Sequence, residues 1–214
     1  MKYGLRLLAL LLFVPVAFAD FDEGIEYQKI ARAQPTVAED RIEVLELFWY
    51  GCPHCYELEP VLEAWQENKA DDVVFVRVPA VLGKSWELGA RAYYTAELLD
   101  VTDQIHKSLF DRFHKDKKPI RNLGELKDFF VSHGVSAEDF DKTINSFAVV
   151  TKTNRAKQVR DMYGISGVPA LIVNGKYRTS ARLAGSNQKM LEVVDFLIEK
   201  ERAALAASPQ AAAQ

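Results

Sequence analysis

Hydrophobic and polar positions run along this chain in blocks of two periods, and the blocks predict its elements. IEVLELFWY (42–50) is a nearly unbroken apolar run rich in β-formers, ending at Gly51. It reads as a strand buried on both faces, as in a sheet covered by helices. PHCYELEPVLEAWQENKA follows, with Leu58, Val61, Leu62 and Trp65 at helical spacing. Pro53 falls in the first turn of that helix, where a missing N–H costs nothing, and Pro60 predicts a kink. DVVFVRVPA (72–80) reads as a second strand. Strand, helix and parallel strand make a right-handed βαβ unit.

From Ser85 to about Tyr163 the period is helical throughout. SWELGARAYYTAELLD, TDQIHKSLFDRFHKDKK, NLGELKDFFVSHG, SAEDFDKTINSF and AVVTKTNRAKQVRDMYG read as successive helices. Ser85, Thr102, Asn122 and Ser136 stand where N-caps are expected, and Gly134 and Gly164 where helices stop. Strand character returns in VPALIVNGKYR (168–178), whose Asn174-Gly175 is a strong hairpin signal. A last amphipathic helix spans about Asn187 to Ala204, with Leu191, Val194 and Leu197 on one face. Without the helical block a thioredoxin-like fold remains. The expected fold class is α/β, a thioredoxin fold interrupted by an all-helical insertion. The thioredoxin-like part is expected over 20–83 and 164–206, the helical insertion over 84–163, and a disordered tail over 207–214.

Composition changes this picture mainly at the N-terminus. The chain has 214 residues, 49% hydrophobic and 27% charged, enough for a soluble globular protein with a full core. Lys2 and Arg6 flank the start of an apolar run, Leu7 to Val14, and Ala17-Phe18-Ala19 supplies an A-x-A cleavage site. That pattern is a secretory signal over 1–19, cut after Ala19, rather than a retained anchor. The mature chain then carries 25 basic and 30 acidic side chains, a balance that offers nucleic acid no basic face. Its compartment is oxidising, so disulfides persist there. A chain this long folds without staples, which leaves its two cysteines surplus to stability.

Those cysteines, Cys52 and Cys55, flank Pro53-His54 at the junction of strand and helix. Four readings compete: a redox pair, half a metal site, a staple, or coincidence. Zinc wants four ligands, and no second pair has the spacing of a finger or ribbon. A staple closing so short a loop removes little chain entropy. For redox chemistry the place is apt. The Cys52 sulfur faces the unpaired N–H groups and positive dipole end of the helix, which favour a thiolate, and a protonated His54 adds to this. A stabilised thiolate makes the disulfide a stronger oxidant, by roughly 30 mV for each pKa unit below ambient pH. It also makes Cys52 a good leaving group.

The run GCPHCYELEP after an apolar strand, the helical block, and SGVPALIVNGKY beyond it resemble the DsbA family of periplasmic thiol:disulfide oxidoreductases, over essentially the whole mature chain. The resemblance implies an oxidase that passes its disulfide to reduced secreted clients. Cys52 would be the exposed sulfur forming the mixed disulfide, Cys55 its buried partner, and Pro53 and His54 the dipeptide that tunes the couple. Val168-Pro169 matches the family's cis-proline loop, whose backbone would pair with an extended client. Glu46, a lone carboxylate within the strand, matches a buried acid assisting proton transfer from the inner thiol. A structural ion pair with Arg77 is the other reading of Glu46. Reoxidation by a membrane quinone reductase of the DsbB type is implied, and no bound cofactor is needed. A monomer is expected. A disulfide isomerase or reductase of the same fold, or a chaperone-like peptide-binding module, stay open as alternatives.

Trp49, Tyr50 and Trp86 would line a client groove or pack in the core. His106, His114 and His133 are expected on helix surfaces.

Overall fold

The computed structural model describes residues 20–37 and 40–207. The expected leader (1–19) and the tail beyond Ala207 lie outside the described residues. A five-stranded sheet in the order β1-β5-β4-β2-β3 forms the frame. Its centre is β2 (Ile42–Phe48), whose seven residues are all buried, as the unbroken apolar run requires. On one side β3 (Val73–Pro79) pairs with it in parallel, Ile42 facing Val73 and Phe48 facing Pro79. On the other, β4 (Ala170–Val173) runs antiparallel.

A turn at Asn174-Gly175 leads from β4 into β5 (Tyr177–Thr179), closed by Lys176 N–H donating to the Val173 carbonyl at 3.0 Å. Both central residues have positive φ, 49° and 63°, the signature of the primed hairpin turn. β1 (Tyr27–Lys29) lies antiparallel to β5 at the edge and was not foreseen from the sequence.

Side chains alternate across β2. Ile42 and Val44 pack with Leu58 and Leu62 of α1 (Pro53–Asn68) and with Met190, Val194 and Leu197 of α9 (Asn187–Ala206). Leu45 and Leu47 meet Val159 and Tyr163 of α7 (Val159–Tyr163) on the opposite face. The sheet is thus covered on both sides, which is how a strand without polar relief stays in place.

Between β3 and β4 the chain is helical: α2 (Glu87–Leu98), α3 (Thr102–His114), α4 (Leu123–Ser132), α5 (Ala137–Ile144), α6 (Phe147–Ala156) and then α7. A short helix, α8 (Ala181–Ala184), precedes α9. Phe110, Phe130 and Phe140 are at most 1% exposed, each burial contributing about 2–3 kcal/mol. Phe48, Tyr50, Cys52 and Cys55 join the same cluster, so the block packs directly on the end of β2 that carries the cysteines.

Asn122 and Ser136 cap their helices, accepting from Glu125 N–H at 2.9 Å and Asp139 N–H at 3.0 Å. Ser85 and Thr102 do not. Ser85 lies inside a single 3₁₀ turn, and Thr102 is already the first residue of α3, whose cap is Val101. The expected helix from Ala148 to Gly164 is two helices, α6 and α7, parted at Lys157-Gln158.

Candidate active site

Strand β2 ends at Phe48, and Trp49-Tyr50-Gly51 turns the chain into α1. Cys52 is the N-cap, extended at φ −91° and ψ 114°, and its N–H donates to the Trp49 carbonyl at 2.9 Å. Gly51 permits this turn: a Cβ there would lie 2.4 Å from the Trp49 ring. Cys55 sits one turn in and is fully buried, whereas Cys52 keeps 8% of its surface. The asymmetry runs as expected, but Cys52 is better covered than an exposed sulfur. What covers it is the facing turn: the Cys52 Sγ lies 3.4 Å from the Val168 carbonyl oxygen, to which only its protonated form donates, and Val168-Pro169 is a cis peptide.

Both cysteines are free thiols in this structure, and their surroundings drive them apart. Cys52 is lowered to about 6, chiefly by a hydrogen bond from the Cys55 thiol. Burial opposes the shift; the backbone N–H groups of Cys55 and His54 and the charge of His54 support it. Burial first, and then the neighbouring Cys52 anion and Glu46, push Cys55 far above the thiol range. The reduced pair is one thiolate held by one thiol. His54 is exposed, and the Glu57 carboxylate 3.0 Å away raises its pKa.

Behind the cysteines lies a buried charge cluster. Arg77 of β3 reaches Glu46 of β2 with Nε at 3.0 Å and Glu59 of α1 with Nη2 at 3.1 Å. One guanidinium therefore serves two carboxylates, and one negative charge is left over. Burial and then the charge of Glu59 raise Glu46 to about 8, so the proton resides there despite Arg77. Burial works on Glu59 as well, but His106 and Arg77 together hold it below the usual carboxylate value. His106 Nε2 lies 3.4 Å from Glu59, and its Nδ1 is 2.9 Å from the Tyr50 hydroxyl. Burial lowers the His106 pKa against the pull of the Glu59 carboxylate.

Glu46 makes the contact with Arg77 that the structural reading expected, and it is a buried acid of raised pKa. Glu59 and His106 were missed, and His106 is a core residue, not a surface one. Its signal was present: it shares one helical stripe with Ile105, Leu109 and Phe110, all buried. His114 is also drawn inward, donating from Nε2 to the Tyr50 carbonyl at 2.7 Å, and half-buried His133 lies 2.8 Å from the Phe129 carbonyl.

Two hollows flank the Val168 turn. One, about 400 Å³, opens over Cys52 and is walled by Trp49, Trp86 and Leu82. Trp49 and Trp86 stack at 4.3 Å and 5°, so they line a cleft, while Tyr50 is core. The other, about 570 Å³, lies between His54, Pro169 and the Thr179–Leu183 segment.

A family model described as a DSBA-like thioredoxin domain matches residues 74–192. The thiol:disulfide interchange protein DsbA of Pseudomonas aeruginosa is 41% identical over 185 residues, 86% of this chain and 88% of that protein. A span of that length necessarily takes in Cys52, Cys55 and Val168-Pro169. The crystal structure of Pseudomonas aeruginosa DsbA superposes with a TM-score of 0.82 at 40% identity, covering 86% of this chain and 96% of the other. That of the oxidoreductase DsbA from Xylella fastidiosa gives 0.79 at 34% identity, covering 85% and 98%. With a thiolate–thiol pair at the mouth of its first long helix, the chain belongs to the DsbA family of thiol:disulfide interchange proteins and is a thiol:disulfide oxidoreductase.

Proposed function

We propose that this chain works as a periplasmic oxidase, passing its Cys52–Cys55 disulfide to newly secreted proteins, with the leader cut after Ala19. The observation that carries the reading is the thiolate at Cys52, lowered to about 6 beside a Cys55 thiol held far up. A client thiolate attacks the Cys52 sulfur and the Cys52–Cys55 bond breaks. The electron pair leaves on Cys55, which takes up a proton, and Glu46, protonated near neutral pH, supplies it. The client's second thiolate then attacks its own sulfur in the mixed disulfide, forming the client disulfide and expelling Cys52 as a thiolate. The client is oxidised by two electrons and the enzyme reduced by two.

Pro53 and His54 tune the couple through the backbone N–H of His54 and its charge. Val168 and Pro169 present a backbone edge on which an extended client can pair, a mode that is indifferent to sequence. Reoxidation falls to a membrane quinone reductase of the DsbB type, no resident cofactor takes part, and the enzyme acts as a monomer. The helical insertion (84–163) roofs the cysteine end of the thioredoxin-like part.

The test uses a reduced two-cysteine client and three forms of the oxidised or reduced enzyme. Wild type is expected to form the client disulfide and Cys52→Ala to form none. Cys55→Ala, loaded as a mixed disulfide at Cys52, should release client only when a second thiol attacks. Client oxidation by Cys52→Ala, or a disulfide that survives glutathione as well as that of thioredoxin does, removes the oxidase reading.

A further inference from the structure

The larger hollow beside the Val168 turn has an unusual charge. The chain as a whole carries 30 acidic and 27 basic side chains, yet the lining of this cavity includes Arg178, Arg182 and His54 and no carboxylate. Exposed Glu57 answers the charge of His54. Nothing answers the two arginines: among the described residues neither makes an ion pair. Arg178 is partly buried and held rigidly by neutral acceptors, Gln28 Oε1 at 3.1 and 2.7 Å and the Tyr163 carbonyl at 3.1 Å. Its guanidinium is positioned while its charge is unspent. Arg182 stands exposed on α8 at the rim of the same cavity. A fixed cation half out of water and without a counter-ion is costly unless something brings one.

Place decides what that is. The cavity is bounded by Ser166, Gly167, Val168 and Pro169, the turn whose carbonyl meets the Cys52 sulfur. On a strand laid along Val168, residues two positions from the reacting cysteine point to the same face as it does. The aromatic cleft and this cavity share Ser166, Gly167 and Val168, so they flank the place such a strand would take.

We propose that the cavity is a carboxylate subsite, which takes the side chain of an acidic residue two positions from the reacting cysteine of an extended polypeptide client. This rests on the reading of Val168 as the edge on which clients dock.

Two-cysteine peptides identical except for Glu, Gln or Lys at that position separate the two claims. Rates of oxidation by the full-length oxidised protein are measured at low and high salt, with the variable residue placed on either side of the cysteine. On one side, the Glu peptide should react about 3- to 10-fold faster than the Lys peptide, an advantage that shrinks in high salt. Arg182→Glu should abolish or invert that order. Glu, Gln and Lys peptides reacting within twofold of one another overturns the subsite and leaves the oxidase standing. Failure of all three to react overturns both. A carboxylate preference seen with glutathione against its ester, and absent from the peptides, also overturns it by giving the cavity to a small thiol.

Discussion

Glu46 is the residue on which the chemistry of the buried side turns. Its folded pKa is raised from 4.5 to about 8, so the unfolded chain loses this proton first as pH climbs. The unfolded state then binds fewer protons than the folded one, and stability falls with pH between those values. Glu46→Gln is therefore expected to be more stable than wild type. The gain should be near zero at pH 4.5 and grow to about 2–4 kcal/mol at pH 7.5. Denaturant melts of both proteins across this range check it, and a gain independent of pH removes the protonated-acid reading. Cys52, Cys55 and Glu46 were legible from the sequence because each breaks a local pattern. Glu59 was legible only in principle, as an acid on the buried stripe of Cys55, Leu58 and Leu62. In print it looks like one of several acids on an ordinary helix.

Elements form where the local signal and the tertiary demand agree. The hairpin turn shows this most sharply, since Gly175 needs both a positive φ and the space: a Cβ there would stand 2.1 Å from the Gln34 carbonyl oxygen. Gly175→Ala should cost at least about 2 kcal/mol. Gly134→Ala, equally left-handed but in open space, should cost about 1 kcal/mol. Thermal melts of the two variants check the difference, and equal costs would mean that the backbone at Gln34 yields. β2, β3 and α1 were readable because their periods persist over many residues, and the hairpin because Asn174-Gly175 marks its turn. β1 was not, being three residues long and held by its pairing to β5 and by Arg178 gripping Gln28. The break between α6 and α7 carries no glycine or proline, so helical spacing runs straight through it.

At the scale of the molecule, the two redox states should differ in how they answer pH. Cys52 falls from the ordinary 9.0 to about 6 on folding, so the stability it confers is fully present above 9 and lost as pH drops through 6. Only the reduced protein owns that term. At pH 7 it amounts to about 1 kcal/mol after solvent screening at the cleft, or roughly 20 mV of oxidising power. Paired melts should show the reduced form gaining on the oxidised form from pH 6 to 9; a constant gap would place the Cys52 titration elsewhere. The arrangement behind the cysteines reaches further. Arg77 on β3 fastens Glu46 on β2 and Glu59 on α1, tying two strands and the redox helix through one side chain. Loss of Arg77 alone strands the Glu59 anion beside a still protonated Glu46, and loss of Glu59 alone frees the cation to ionise Glu46. The three positions can drift only in concert, so relatives should either keep the whole trio or have exchanged it together, as a lock is changed with its key.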